Sequence, residues 1–340
     1  MPLLLKKRVI LIELEQDDSN PPVLQYGTEA TITGADAVLV SDLAIVPQSS
    51  DVVSRDLIRP YLGASEQLLA NTKVECTFSV ELAGSGTPGT APRYGKALQA
   101  CGLAQAITDE DNYAGAPSGN DTVTYTPLSA NFPSVTIHYN IDGVRHRVKG
   151  ARGTVELVAE VGQIPKLNFS MIGIYIAPEK FTLPAVTYGD QDEPLIFKNG
   201  NTTAFELLSF AGALQSINFD LGNELVYQEL VGGTQQVLLI DRQSTGTVSI
   251  EAPKPGPATD QNNAPTGDKD YFALALVDNT LGNLKFTHGK TAGNRVQFLS
   301  SRVDIGDVNY GDIDGIASLE IPYTCIPSTS GSDEFSLIYT

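Results

Sequence analysis

Polar and apolar residues alternate one by one through residues 72–82. Lys73, Glu75, Thr77, Ser79 and Glu81 fall on one side, and Val74, Cys76, Phe78, Val80 and Leu82 on the other. A period of two is that of a β-strand with one packed face and one wet face. The same alternation sets Thr154, Glu156 and Glu160 against Val155, Leu157 and Val161, and Ser249 and Glu251 against Val248 and Ile250. It returns in Ser318 and Glu320 against Leu319 and Ile321. Half-buried strands of this kind belong to antiparallel sheets, as in sandwiches and barrels. Short helices are predicted at residues 94–104 and at about 268–278, each after a Gly/Pro-rich loop. The predicted fold class is therefore all-β, two tandem β-sandwich or barrel domains with one short packed α-helix in each.

The duplication rests on order and spacing. A strand, a Gly/Pro loop, a helix, a hairpin and two further strands follow one another after residue 72 and again after residue 244. Arg152 and Pro178 stand 26 positions apart, and Arg302 and Pro327 stand 25 apart. Two copies of one β-rich unit point to a builder of rings or arrays. The expected division is an N-terminal arm at 1–34, a first domain at 35–184 with an insertion at 107–133 read as an exposed loop with one short strand, a linker at 185–202, and a second domain with a C-terminal arm at 203–340. Asp142-Gly143 marks a two-residue hairpin turn, and residues 289–293 a longer one. Before the first strand of each unit lies a long segment, 51–71 and 224–243, expected to form an extended hairpin or arm.

Composition narrows the function. With 22 Lys+Arg against 40 Asp+Glu, the net charge of −18 opposes binding to phosphate backbones. It suits a surface that solvates itself or lets a polyanion pass. Cys76, Cys101 and Cys325 are too few and too scattered for a disulfide framework or a zinc site, and Cys76 and Cys101 fit small core positions. The first residues, MPLLLKKRVILIELE, place their charges after the leucines, so they read as a strand or arm and not as a signal peptide. No apolar run reaches the roughly 18 residues of a membrane span. Synthesis and residence in a reducing cytoplasm are expected.

Catalytic motifs fail on context. Gly84, Gly86 and Gly89 form a G-x-G-x-x-G, but Thr90, Ala91 and Pro92 separate it from the helix, and the preceding strand is not apolar throughout. No catalytic, cofactor-binding or metal-ligating residue is assigned. His138, His146 and His288 lie in predicted hairpins and are expected at the surface. Asp312-Ile313-Asp314-Gly315 lacks carboxylates at the first and last positions of a calcium loop.

Several stretches resemble the tail tube, or major tail, proteins of long-tailed bacteriophages. They are VELAGSGTPGTAPRYGKALQACGLA from Val80, VTYTPLS from Val123, DGVRHRVKGARGTVEL from Asp142, FSMIGIYIAP from Phe169, GDIDGIASLEIPY from Gly311 and GSDEFSL from Gly331. The resemblance implies tail-tube-type domains and a structural virion protein, made in the host cytoplasm, whose rings stack into a hollow tube for DNA ejection. It also implies partners: further copies of the chain, other tail proteins at the tube ends, and viral DNA in transit without specific binding. Many members carry one tube domain and form six-membered rings, so two domains per chain imply three chains per ring. For the channel lining the wet strand faces offer Glu75, Glu81, Glu156, Glu160, Glu251, Asp304 and Glu320, although alternation alone leaves the outer wall open to them. For assembly contacts the long segments and termini offer Asp51, Arg55, Arg59, Glu66, Glu224, Glu229, Asp333 and Glu334. The competing readings are a carbohydrate-binding adhesin or tail-tip module, which would show aromatic platforms, and a nicotinamide oxidoreductase built on the GSGTPG loop.

Overall fold

The structure, a computed structural model, describes residues 3–17, 23–55, 57–108, 121–255, 269–277 and 281–340. Its first half runs β1 (Arg8–Leu14), β2 (Ala37–Val38), β3 (Ser41–Ser54), β4 (Gln67–Glu81), α1 (Gly95–Ala100), β5 (Leu103–Thr108), β6 (Thr122–Pro127), β7 (Val135–Ile141), β8 (Val144–Glu160), β9 (Lys166–Tyr175) and β10 (Glu179–Lys180). The second half runs β11 (Thr202–Leu207), β12 (Leu214–Asp220), β13 (Asn223–Gln228), β14 (Gln236–Arg242), β15 (Thr245–Glu251), α2 (Tyr271–Ala275), β16 (Gly282–His288), β17 (Val296–Ile305), β18 (Asn309–Ile313), β19 (Ile316–Cys325) and β20 (Ser336–Tyr339). Among the described residues the fold is all-β with two short α-helices, and all pairings between these strands are antiparallel.

Hydrogen bonding gives both halves the same strand order. In the first it is β3-β4-β9-β8-β7-β1. In the second it is β12-β15-β19-β17-β16-β11. The likeness extends to irregularities. Between Ile137↔Val148 and Val135↔Ala151 the β7–β8 ladder gains one residue on β8, and between Leu284↔Ser300 and Gly282↔Val303 the β16–β17 ladder gains one on β17. A bulge re-aims the strand that carries it. Here it lets β8 leave β7 and run on beside β9, as β17 leaves β16 to meet β19. What is one long strand in the first half, β8, is split at Gly306 in the second into β17 and β18.

The dry faces of both sheets close over a shared core. Phe78 stacks on Phe169 at 5.0 Å in the first half, and Phe219 packs against Phe298 and Phe335 at 4.9 and 4.7 Å in the second. Two of the contacts that weld the halves are a pair of loops and a strand. Loop residues 84–86 meet loop 289–294: Gly84 N donates to Asn294 Oδ1 (2.9 Å), Gly86 N donates to Gly293 O (3.0 Å), and a Cβ on Gly84 would stand 2.0 Å from Gly293 O. The glycines of the G-x-G-x-x-G thus serve close backbone approach. The second weld is β20, which pairs with β17 on one side and β6 on the other, and whose Tyr339 Oη lies 3.1 Å from that of Tyr94 at the start of α1.

Several sequence expectations change. Both helices are shorter than predicted, since Gly102 at φ +80 ends the first turns and β5 starts at Leu103, inside the predicted helix. The insertion holds the one short strand expected of it, β6, but that strand buries Val123 and Tyr125 instead of lying exposed; residues 109–120 lie outside the described ones. Of the two readings of the N-terminal stretch, strand or arm, residues 8–14 take the strand: β1 pairs along β7 and buries Ile10 and Ile12. Linker residues 185–202 are fastened by Arg93–Asp190 (2.5 Å) and by buried Phe197. His138 and His288 are buried, not superficial, while His146 is half-buried.

Candidate assembly surfaces

Register, once known, turns the alternation into a surface. Glu75 pairs with Ile172, Glu81 with Lys166, Glu156 with Asn168 and Asp220, and Glu160 with Ser216. Farther on, Ser216 pairs with Ser249, Ser249 with Glu320, and Glu251 with Ser318, while Asp304 pairs with Thr324. Directly paired residues project to the same side of a sheet. All seven acidic residues expected on wet strand faces therefore lie on one face, which runs unbroken from β4 through β9, β8, β12 and β15 to β19.

That face is anionic. Glu75, Glu81, Glu156, Glu160, Asp220, Glu251, Asp304 and Glu320 share it with Lys73 and Lys166 and, half-buried at its margin, Arg152 and Arg302; Lys73 is paired with Glu75 at 3.2 Å. Between the carboxylates stand Thr77, Ser79, Thr154, Asn168, Ser170, Asn218, Thr247 and Ser249, all short and uncharged. The Ser79 hydroxyl donates to Asn168 Oδ1 at 2.8 Å. Lys166 reaches Asp42 at 3.2 Å and lowers that carboxyl below its usual range.

The face is continuous because the halves join strand to strand. Glu156 to Glu160 of β8 pair with Asp220 to Ser216 of β12. Strand order identifies β18 as the counterpart of this end of β8, and β3 as the counterpart of β12. Among the described residues β18 pairs with β19 alone and β3 with β4 alone. Each presents a free edge, with Tyr310 and Val46 exposed.

The two long segments are hairpins, as expected. β13 and β14 form one, and the outer parts of β3 and β4 form the other, pairing Asp51↔Ala70 through Ser54↔Gln67. Their surroundings differ. The β13–β14 hairpin is clamped onto the first half: Arg152 Nη1 donates to Val237 O (2.7 Å), Val237 N donates to Tyr26 Oη (2.5 Å), and Asn223 Nδ2 donates to Cys101 O (2.7 Å) and Gly153 O (2.8 Å). The β3–β4 hairpin stands clear of its own chain, with Val52, Val53, Leu57, Ile58, Tyr61, Leu62, Leu68 and Leu69 all exposed.

The charged residues expected at contacts fall into three groups. Asp51, Arg55, Arg59 and Glu66 sit on the free hairpin, where Arg55 lies 3.9 Å from Glu66, Asn71 donates to Asp51 (2.7 Å) and Arg59 lies over Tyr61. Glu224 and Glu229 sit on the clamped hairpin, Glu229 accepting from Gln235 at 3.0 Å. Asp333 is committed to Ser328, and Glu334 is buried against Arg242, which donates to it at 2.7 Å. The C-terminal segment is thus used inside the chain, because β20 completes a sheet. The apolar pairs of the free hairpin escaped the charge-based reading, although VV, LI, YL and LL on both faces of a two-stranded element carry that signal in the sequence.

The family described as phage tail tube protein matches residues 23–325. The chain belongs to it. No curated protein matches the chain. A phage tail tube protein is a structural component of the virion tail. The unbroken anionic face, the free strand edges and the free hairpin are the features of this one that bear on assembly.

Proposed function

We propose that the chain closes into rings of three copies, each copy filling two of six quasi-equivalent places, and that the rings stack into a hollow tube through which DNA leaves the virion. The observation that carries this is the β8–β12 seam. It joins the first half to the second through one pair of edges, and the corresponding pair, β18 and β3, is left bare at the two ends of the sheet. Repeating the seam between chains sets β18 of one copy against β3 of the next, with Asn309 opposite Val46, Tyr310 opposite Ile45 and Gly311 opposite Ala44. Repeated round the ring, it closes the sheet into a barrel and removes both edges.

On this reading the anionic face lines the channel, with Glu81, Glu156, Glu160, Glu251 and Glu320 at its centre and Glu75 and Asp304 toward one margin. A face poor in cations repels a polyanion and gives it no counterion-releasing contacts, so DNA slides without being held. The free β3–β4 hairpin with Asp51, Arg55, Arg59 and Glu66 makes contacts between copies, and other tail proteins meet the tube at its ends. The work is geometric, without catalysis or cofactor. Electron microscopy of the concentrated purified protein should show hollow stacked rings, and native mass measurement of a single ring should give three chains. A ring of six chains would overturn the stoichiometry, and a protein that remains monomeric would overturn the reading itself.

A further inference from the structure

We infer that the free β3–β4 hairpin of one copy clasps the second half of a neighbouring copy at the site corresponding to the one that the β13–β14 hairpin occupies on the first half. The inference rests on the ring reading above and names the partner surface within it. Three observations carry it.

First, the two hairpins correspond residue by residue. Each follows the strand at the seam, β3 or β12, and returns into β4 or β15. Counted back from the matched positions Glu81 and Glu251, Leu69 takes the place of Leu239. Their cross-strand partners are Val52 and Leu225. Leu239 is half-buried against the first half, where a Cβ on Gly102 would come within 3.0 Å of its Cδ1, whereas Leu69 is exposed.

Second, the receiving surface is bare on the second half. The α1 C-cap, Cys101, is fully buried and its carbonyl accepts from Asn223 of the hairpin. The α2 C-cap, Leu276, is 85% exposed, and Val277, standing where Gly102 does, is exposed too. An apolar pair left in water at the place where its counterpart is covered indicates a missing cover.

Third, the polar anchor is present and unmet. On β8, Arg152 flanks Ala151 and spends Nη1 on the hairpin carbonyl of Val237. On β17, Val303 corresponds to Ala151; register puts Asp304 in the place of Arg152, and Arg302 flanks Val303 from the other side along the strand, on the same face. Its Nε is buried without a hydrogen-bond partner among the described residues. From two positions along β17, this guanidinium is placed to donate to a backbone carbonyl of the incoming hairpin near Gln67.

The occupant is a second copy of the chain, because the in-chain seam and the in-chain clasp are produced by one displacement. Applying it again carries β3 onto β18 and the free hairpin onto Leu276, Val277 and Arg302 together. The test is a double-cysteine variant, Leu69→Cys with Val277→Cys. Both positions are exposed in the monomer, and burial raises the thiol pKa values of the three native cysteines, Cys76 and Cys325 to about 12, so they stay out of the reaction. Oxidation of assembled tubes should give covalent dimers and trimers on a denaturing gel, and Leu69→Cys with Val231→Cys should give none. Leu69→Glu alone should raise the protein concentration needed for assembly by about tenfold or more, with the monomer's melting unchanged, and Val277→Lys should restore part of the loss. Tubes that form without cross-links at 69 and 277 would overturn the clasp and leave the ring reading standing. Protein that neither assembles nor cross-links would overturn both.

Discussion

His138 and His288 show how burial fixes a protonation state. The Nε2 of His288 faces the carbonyl of Leu195 at 3.1 Å, an acceptor only, so it carries the hydrogen, and Nδ1 accepts from the Thr202 hydroxyl at 2.9 Å. His138 lies 3.2 Å from Glu29, but burial outweighs that carboxylate. Desolvation, the largest cause in both, lowers the two imidazole pKa values below the ordinary 6.5. The unfolded chain then binds protons that the folded one refuses. This part of the stability is fully present above pH 6.5 and is lost as pH falls from there through the lowered values. Thermal melts between pH 7 and 5 should show this fall, and a His138→Gln/His288→Gln variant should show a shallower one. An equal slope in that variant would place the effect elsewhere. Glu15 illustrates a different solution to burial. Fully enclosed, its carboxylate accepts from Gly27 N, Ser134 Oγ, Thr136 Oγ1 and Gly150 N, tying the 23–27 loop to β7 and to the bulge of β8.

At the scale of strands and hairpins, the period-two pattern was enough to name the wet face, because alternation is a local property that register later only aligns. Glu81, Glu156, Glu251 and Glu320 were legible in this way, as were the two long hairpins and the Asp142-Gly143 turn. The β8–β12 seam was not. It depends on which edge meets which, and no spacing within one strand records that. The buried histidines were missed for a related reason: the polar face of β7, with Thr136, His138 and Asn140, is buried because loop residues near Glu29 cover it. Charge reversal tests the face as a unit. Replacing Glu81, Glu156, Glu251 and Glu320 together by lysine would add four cations to a surface that now offers Lys73 and Lys166 beside the half-buried Arg152 and Arg302. DNA ejection from virions carrying this variant should slow, and the slowing should weaken with added salt, because each phosphate contact releases counterions. Ejection at the parental rate would put this face on the outer wall.

Across the whole molecule, the two halves are not separable beads. β20 closes the second half, buries Leu337 and Tyr339, and supplies the partner of β6 in the first. Removing residues 336–340 should therefore destabilise both halves together, by about 4 kcal/mol or more from the two buried side chains alone. Denaturation followed by probes in each half should shift in a single step; loss confined to the second half would show that the halves fold independently. The in-chain seam also has a kinetic consequence. In a three-chain ring every other lateral joint is made within one polypeptide, at an effective concentration no collision between separate subunits can match. Such a ring has only three joints to form between chains where six single-unit subunits have six, and a tube pulled apart should tear along those joints, sparing the ones already present in each newly made chain.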